Sequence, residues 1–330
     1  MAALLGFGTA LPDFRLTPEQ GRDVLAAHWP HLTASRIEPV TRYTVLPIDE
    51  VFQPRSMSDR MRLYDREAPR LAQRAVEQAL RESGKVAAQV DLLISVSCTG
   101  YMVPSLDVRL ANRMGFRADI VRLPITELGC SGGGAGIAAG YRHLCASPES
   151  VVLVVCVELC SLTFSPDDSS LDNLTASLVF GDGAAAVVMA GEGAGMRVTA
   201  VGSRLIPDSE RFLGFQLRDE GFHPVLDRKL PRLLATELKG LLESFDRGPF
   251  SFHAVHAGGP RIFDAVESSL GIPGGALTVS REIFRRYGNV SSASLLFVLA
   301  ALTKRRGRGL AMAFGPGVSV ELLSLKGCGG

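Results

Sequence analysis

Hydrophobic and polar positions fall into short blocks along the chain. Residues 151–157 (VVLVVCV) are an unbroken, β-branched apolar run, the pattern of a strand buried on both faces. Residues 90–97, 184–189, 254–257, 309–314 and 318–323 are further short apolar runs and predict strands. Residues 1–12 are mildly apolar and broken by Gly6, Gly8 and Pro12, which predicts a first strand and turn. Helical spacing of apolar residues marks 68–83 and 106–114. Thr17 and Pro18 form a cap and first-turn pair for a helix over 17–29. Strands alternating with helices predict an α/β fold with helices covering the sheets.

Two predicted helices carry almost nothing large or polar at their starts. One covers 130–144 and opens CSGGGAGIAAG; the other covers 289–302 and opens NVSSASLLFVLAA. Each glycine costs a helix about 0.8–1 kcal/mol relative to alanine. A helix that accepts so many is expected to lie against backbone on several sides. One such helix in each half suggests two related halves, 1–190 and 196–330, joined at the glycine-rich stretch 191–195.

Composition narrows the class. The chain has 330 residues, 46% hydrophobic and 21% charged, with a formal charge of +1. That is too apolar for a disordered chain and too evenly charged for nucleic-acid binding or docking on an anionic membrane. The longest helical apolar run, 294–302, is far short of the ~20 residues that span a bilayer. The start lacks the basic segment of a signal peptide. The six cysteines form no CxxC pair and are too sparse for a disulfide scaffold, so a cytoplasmic location is expected.

Cys130 stands where a loop or strand enters a helix, a position that stabilises thiolate. A small buried cysteine is the plainer alternative for it. His256 follows a predicted strand and precedes Gly-Gly-Pro, and strand ends are where α/β proteins place reactive groups. His253, an odd number of residues away, is not expected on the same face. Asn289 suits a helix cap or an amide donor aimed at an oxyanion. Together the three suit thioester chemistry. The turn containing Gly315 and Pro316 links two predicted strands and could shape a cavity floor.

GCSGGG around Cys130, FGDGAAA from Phe180, HAGGPRI from His256, YGNVSSAS from Tyr287 to Ser294 and FGPG from Phe314 occur in that order. As a set they resemble the chalcone synthase family, the type III polyketide synthases. The resemblance runs from about Leu4 to Leu323. It implies a thiolase-like fold, five-layered αβαβα with duplicated halves and two sheets, working as a homodimer.

The resemblance also implies roles. Cys130 matches the acyl-accepting nucleophile, and His256 and Asn289 the pair that promotes malonyl decarboxylation. His256 is expected to lower the Cys130 pKa as an imidazolium partner. Phe180 matches a gate between the CoA tunnel and the cavity, with Pro224 in place of the second gate aromatic. Val103 matches a loop residue that reaches into the partner subunit. Thr99, Cys160 and Thr163 match cavity walls, Phe215 replaces a small residue, and Arg36 matches a CoA-phosphate contact. The implied substrates are acyl-CoA and malonyl-CoA, with no metal or cofactor, no nucleic acid and no membrane. CTGYMVPSL and ELCSLTF resemble bacterial alkylpyrone, alkylresorcinol and tetrahydroxynaphthalene synthases. A long or medium acyl starter is placed ahead of malonyl-CoA as starter. Ketoacyl-ACP synthase III is a rival that shares Cys, His and Asn, but it carries Gln-Ala-Asn after its own His where this chain has HAGGP. A thiolase-fold subunit without catalysis is a second rival, opposed by the presence of all three residues.

Overall fold

A computed structural model describes residues 1–30, 38–219, 221–246 and 248–327. The first half runs β1 (Ala2–Ala10), β2 (Phe14–Leu16), α1 (Pro18–His28), β3 (Arg42–Thr44), α2 (Ile48–Val51), α3 (Met57–Ser83) and β4 (Leu92–Val96). It continues through α4 (Leu106–Met114), β5 (Val121–Ile125), α5 (Gly132–Ala146), β6 (Val151–Leu159), α6 (Leu171–Val179) and β7 (Asp182–Ala190). The second half runs β8 (Met196–Leu205), β9 (Leu213–Arg218), β10 (Gly221–Leu226), α7 (Leu230–Phe245), β11 (Phe252–Val255) and α8 (Pro260–Leu270). It ends with α9 (Thr278–Tyr287), α10 (Ser294–Ala301), β12 (Arg308–Gly315) and β13 (Ser319–Lys326).

The two halves pair their strands in the same way. In the first, β1 is antiparallel to β7, β7 to β6, and β6 runs parallel to β4 and β4 to β5. In the second, β8 is antiparallel to β13, β13 to β12, and β12 runs parallel to β11. This repeat of direction and order is the duplication that the two small-residue helices suggested. The expected pair of separate sheets is corrected in one respect. Ala2–Leu4 of β1 pairs with Met196–Val198 of β8, so nine strands form one continuous sheet.

Helices α5 and α10 lie between the halves. A Cβ on Gly136 would stand 2.8 Å from Val154 of β6, and one on Gly134 would stand 2.8 Å from Glu321 of β13. Bare backbone on both sides of α5 lets strands of both halves close on it. On the outer face of the first half, α3 covers β1, β6 and β7. On the second half, Leu234, Leu238, Phe263 and Val266 of α7 and α8 join the apolar core shared with β11, β12 and β13. Helix, strand, helix, strand and helix layers follow, which is the thiolase-like arrangement.

Local signals set several boundaries. Thr17 and Gln20 form a reciprocal capping box at α1, with Pro18 in the first turn. Helix α3 begins at Met57, eleven residues before the predicted start, because Ser56 caps it. Pro69 inside it forfeits a backbone hydrogen bond, yet Tyr64, Ala68, Leu71 and Ala72 bury the same face against the sheet. The stretch 191–195 is a close-packed connection: a Cβ on Gly195 would stand 2.3 Å from the Leu4 carbonyl oxygen. Strand β5, which alternation did not reveal, is a sheet edge and tolerates Pro124 for that reason.

Candidate active site

Cys130 lies in a single 3-10 turn, Gly129–Ser131, directly ahead of α5. Gly129 has φ 52°, and a Cβ there would meet Pro316 at 2.5 Å, so only glycine fits between the Cys130 turn and the β12–β13 turn. The Cys130 Sγ donates to Ser291 Oγ at 3.6 Å. Ser291 opens the 3-10 turn Ser291–Ala293 ahead of α10. The two small-residue helices therefore start face to face, joined through Cys130 and Ser291.

Asn289 is buried just before that turn. Its Oδ1 accepts from Ser291 N at 2.9 Å and Ser294 Oγ at 3.4 Å. Its carbonyl accepts from Gly181 N at 3.0 Å, and its N–H donates to Val179 O at 2.8 Å. The Asn289 backbone is thus bridged to Phe180. Its amide side chain lowers the Cys130 pKa.

His256 follows β11, with its N–H donating to Met312 O at 2.8 Å. β12, the strand that anchors it, ends beside Pro316 and the Cys130 turn. The ring is buried, and burial pushes its pKa down to about 3. Burial also pushes the Cys130 thiol up to about 12, with hydrogen bonds from Ser291 and Asn289 pulling the other way and Glu158 adding to the rise.

A slot opens over Cys130. Its walls include Thr99, Cys160, Thr163, Phe180, Phe215 and Pro224. The cavity between these walls is small, about 30 Å³. One wall is the β9–β10 hairpin, held to α6 by Leu226 N donating to Asp172 Oδ2 at 3.0 Å. Across it, Phe215 meets Phe222 edge to face with ring centres 5.7 Å apart.

Two family models together match most of the chain, from residue 47 onward. The chalcone and stilbene synthase N-terminal domain matches residues 47–193, and the corresponding C-terminal domain matches residues 197–329. The chain belongs to the chalcone and stilbene synthase family. It is a type III polyketide synthase, an enzyme that transfers acyl groups in condensation reactions.

Among its relatives is a 1,3,6,8-tetrahydroxynaphthalene synthase of Streptomyces coelicolor, 38% identical over 293 residues, 86% of this chain and 78% of that protein. A phloroglucinol synthase of Pseudomonas fluorescens is 31% identical over 293 residues, 85% of this chain and 84% of its own length. The solved structure of 1,3,6,8-tetrahydroxynaphthalene synthase from Streptomyces coelicolor superposes with a TM-score of 0.93 at 33% identity, covering 99% of this chain and 100% of the other.

Against this synthase fold, most predicted cavity residues meet in the one slot. Gly315 does not line it and is corrected: Pro316 does, while Gly315 lies behind, where a Cβ would strike Ser131 Oγ at 2.2 Å. Val103 stands away from the slot and is 98% exposed. Arg36 lies outside the described residues.

Sequence reasoning missed Glu158 and Ser291. Glu158 is fully buried at the end of β6 and accepts from Thr99 Oγ1 at 2.9 Å, Cys98 N at 3.1 Å and Ser291 Oγ at 3.3 Å, as well as from Ser292 Oγ. Burial pushes its carboxyl upward. A lone carboxylate inside the run VVLVVCVEL is the signal that marks it, because an acid in a strand buried on both faces needs several donors. Ser291 is marked only by the positive φ of 44° that turns its hydroxyl between Cys98 and Cys130. Among the described residues no cluster of His, Cys, Asp or Glu is arranged to hold a metal ion, and no helix is long and apolar enough to cross a membrane.

Proposed function

We propose that this synthase extends an acyl-CoA starter with malonyl-CoA by iterative decarboxylative Claisen condensation on Cys130. The observation that carries this is the position of the Cys130 thiol, at the floor of an apolar slot beside Asn289 and Ser291. Cys130 sulfur attacks the starter thioester, its proton passes to neutral His256, and the carbon–sulfur bond to CoA breaks. The departing CoA thiolate takes that proton. Malonyl-CoA then loses carbon dioxide, and its electron pair moves onto the thioester oxygen, held by His256 and Asn289. The enolate carbon attacks the acyl–Cys130 carbonyl, a carbon–carbon bond forms, and Cys130 leaves as thiolate. Repetition gives a poly-β-keto chain that closes to an alkylpyrone, alkylresorcinol or related aromatic ring.

Thr99, Cys160, Thr163, Phe180, Phe215 and Pro224 shape starter choice and ring closure in this reading. A second reading, with malonyl-CoA as starter, is favoured by the narrowness of the slot and by the naphthalene-forming relatives. Product mass spectra from a panel of acyl-CoA starters and from malonyl-CoA alone separate the two. Turnover that needs an acyl carrier protein and stops after one condensation would overturn both.

We also propose a cytoplasmic homodimer with halves 1–190 and 196–330. Support for the dimer comes from β5, a sheet edge that exposes Val121 and Leu123, and from nearby Tyr101 and Val103. An exposed apolar edge strand is stable only when something covers it.

A further inference from the structure

Arg42 sits on the short strand β3, has no exposed surface, and forms no salt bridge among the described residues. Burial pushes its pKa down to about 9, with the Asp182 charge pulling the other way. Its guanidinium is spent on backbone. Nη1 donates to Leu178 O at 2.9 Å and to Val40 O at 3.4 Å, and Nη2 donates to Ser177 O at 2.5 Å. Ser177 and Leu178 stand in the last turn of α6, whose carbonyls carry the negative end of the helix dipole.

The next carbonyl, Val179 O, accepts from Asn289 N. The stem of Arg42 also touches both chains of that bridge. A Cβ on Gly181 would stand 2.9 Å from Arg42 Cβ, and one on Gly288 would stand 3.3 Å from it. Arg42 therefore grips the end of α6 with its head and lies against the two glycines that flank Phe180 and Asn289 with its stem.

We propose that Arg42 is a positioning residue for the oxyanion donor: it locks the last turn of α6 in the register that aims the Asn289 amide. This rests on the role proposed above for Asn289. Lysine keeps a charge but cannot fork to two carbonyls as a guanidinium does, so Arg42→Lys loosens that register.

The experiment measures carbon dioxide release from carboxyl-labelled malonyl-CoA by the full chain, in a double-mutant cycle of Arg42→Lys with Asn289→Ala. Arg42→Lys alone should lower kcat about tenfold, with KM for malonyl-CoA held within about twofold, since a misplaced donor is lost in the transition state. In the Asn289→Ala background the same change should cost less than about twofold. Equal losses in both backgrounds would overturn the proposal, because they place the effect outside Asn289. If Arg42→Lys gives no cooperative melt, Gly181→Ala replaces it: the new methyl wedges between Arg42 and the Tyr287 carbonyl without removing charge. It should give the same coupled loss, and additivity there overturns the proposal equally. Asn289→Ala with undiminished carbon dioxide release would instead sink the role of Asn289 itself.

Discussion

Gly133 offers a test of how the buried helices set the reaction geometry. It lies one turn after Cys130 in α5, and a Cβ there would stand 2.2 Å from the Ser292 carbonyl oxygen and 2.9 Å from Leu296 Cδ1. Real Cβ contacts need about 1 Å more than the first of these, and neither the carbonyl nor the helix behind it is a flexible end. Gly133→Ala must therefore push the Cys130 turn and the Ser291 turn apart. Overpacking of this kind costs about 1–3 kcal/mol. Alanine returns about 0.8–1 kcal/mol of helix propensity. The net expectation is a loss of about 0–2 kcal/mol. Activity should suffer more, because a misplacement of about 1 Å can cost on the order of 10²-fold in rate. Gly240 in α7 is the control, since a Cβ there meets nothing within 4 Å. Gly240→Ala should stabilise by up to about 1 kcal/mol and leave turnover unchanged. Urea unfolding and malonyl-CoA consumption measure both variants. A Gly133→Ala protein as stable and as active as Gly240→Ala would refute the packing argument.

Further outcomes follow from the same geometry. Cys130→Ala should abolish condensation while melting like the parent, whereas Cys130→Gln should still release carbon dioxide from malonyl-CoA; loss of folding in the first, or silence in the second, contradicts the assigned roles. His256 stays neutral when folded while its unfolded form protonates near pH 6.5, so stability should fall as pH drops from about 6.5 toward 3, by up to about 1.4 kcal/mol per unit. In urea titrations His256→Gln should flatten that slope, and an unchanged slope would show that the ring is not held neutral. Leu123→Lys puts a charge on the exposed β5 edge and should yield monomer in sedimentation; an intact dimer would place the interface elsewhere. Phe215→Ala should widen the slot and shift product mass toward longer starters, and an unchanged product profile would remove Phe215 from the wall that selects them.

Much of the fold was legible because its signals are local. The buried strand at 151–157, the capping pair at 17 and 18 and the exact span of α4 depend on residues within a turn or two of each other. The glycine-laden opening of α5 announced a helix between layers, since no exposed helix would keep such residues. Weak alternation hid β5 and the β9–β10 hairpin. Edge strands lie partly outside the core, so they carry no strict inward and outward period.

The chain by itself determined the α/β class and the family, and put Cys130, His256 and Asn289 forward as candidates, because motif order and helix starts survive without coordinates. Only the tertiary structure decided what surrounds them. Thr99 and Glu158 are 59 residues apart and Ser291 and Glu158 are 133 apart, yet all three share one buried hydrogen-bond network. Arg42 reaches carbonyls 135 and 136 residues away. Burial, too, is a property of the assembled layers: it pushes the His256 pKa down and the Cys130 pKa up, where position at a helix start alone argued for thiolate. Sequence period and capping report the free energy of a local segment. Desolvation and long-range hydrogen bonding are set only when both halves close on the helices between them.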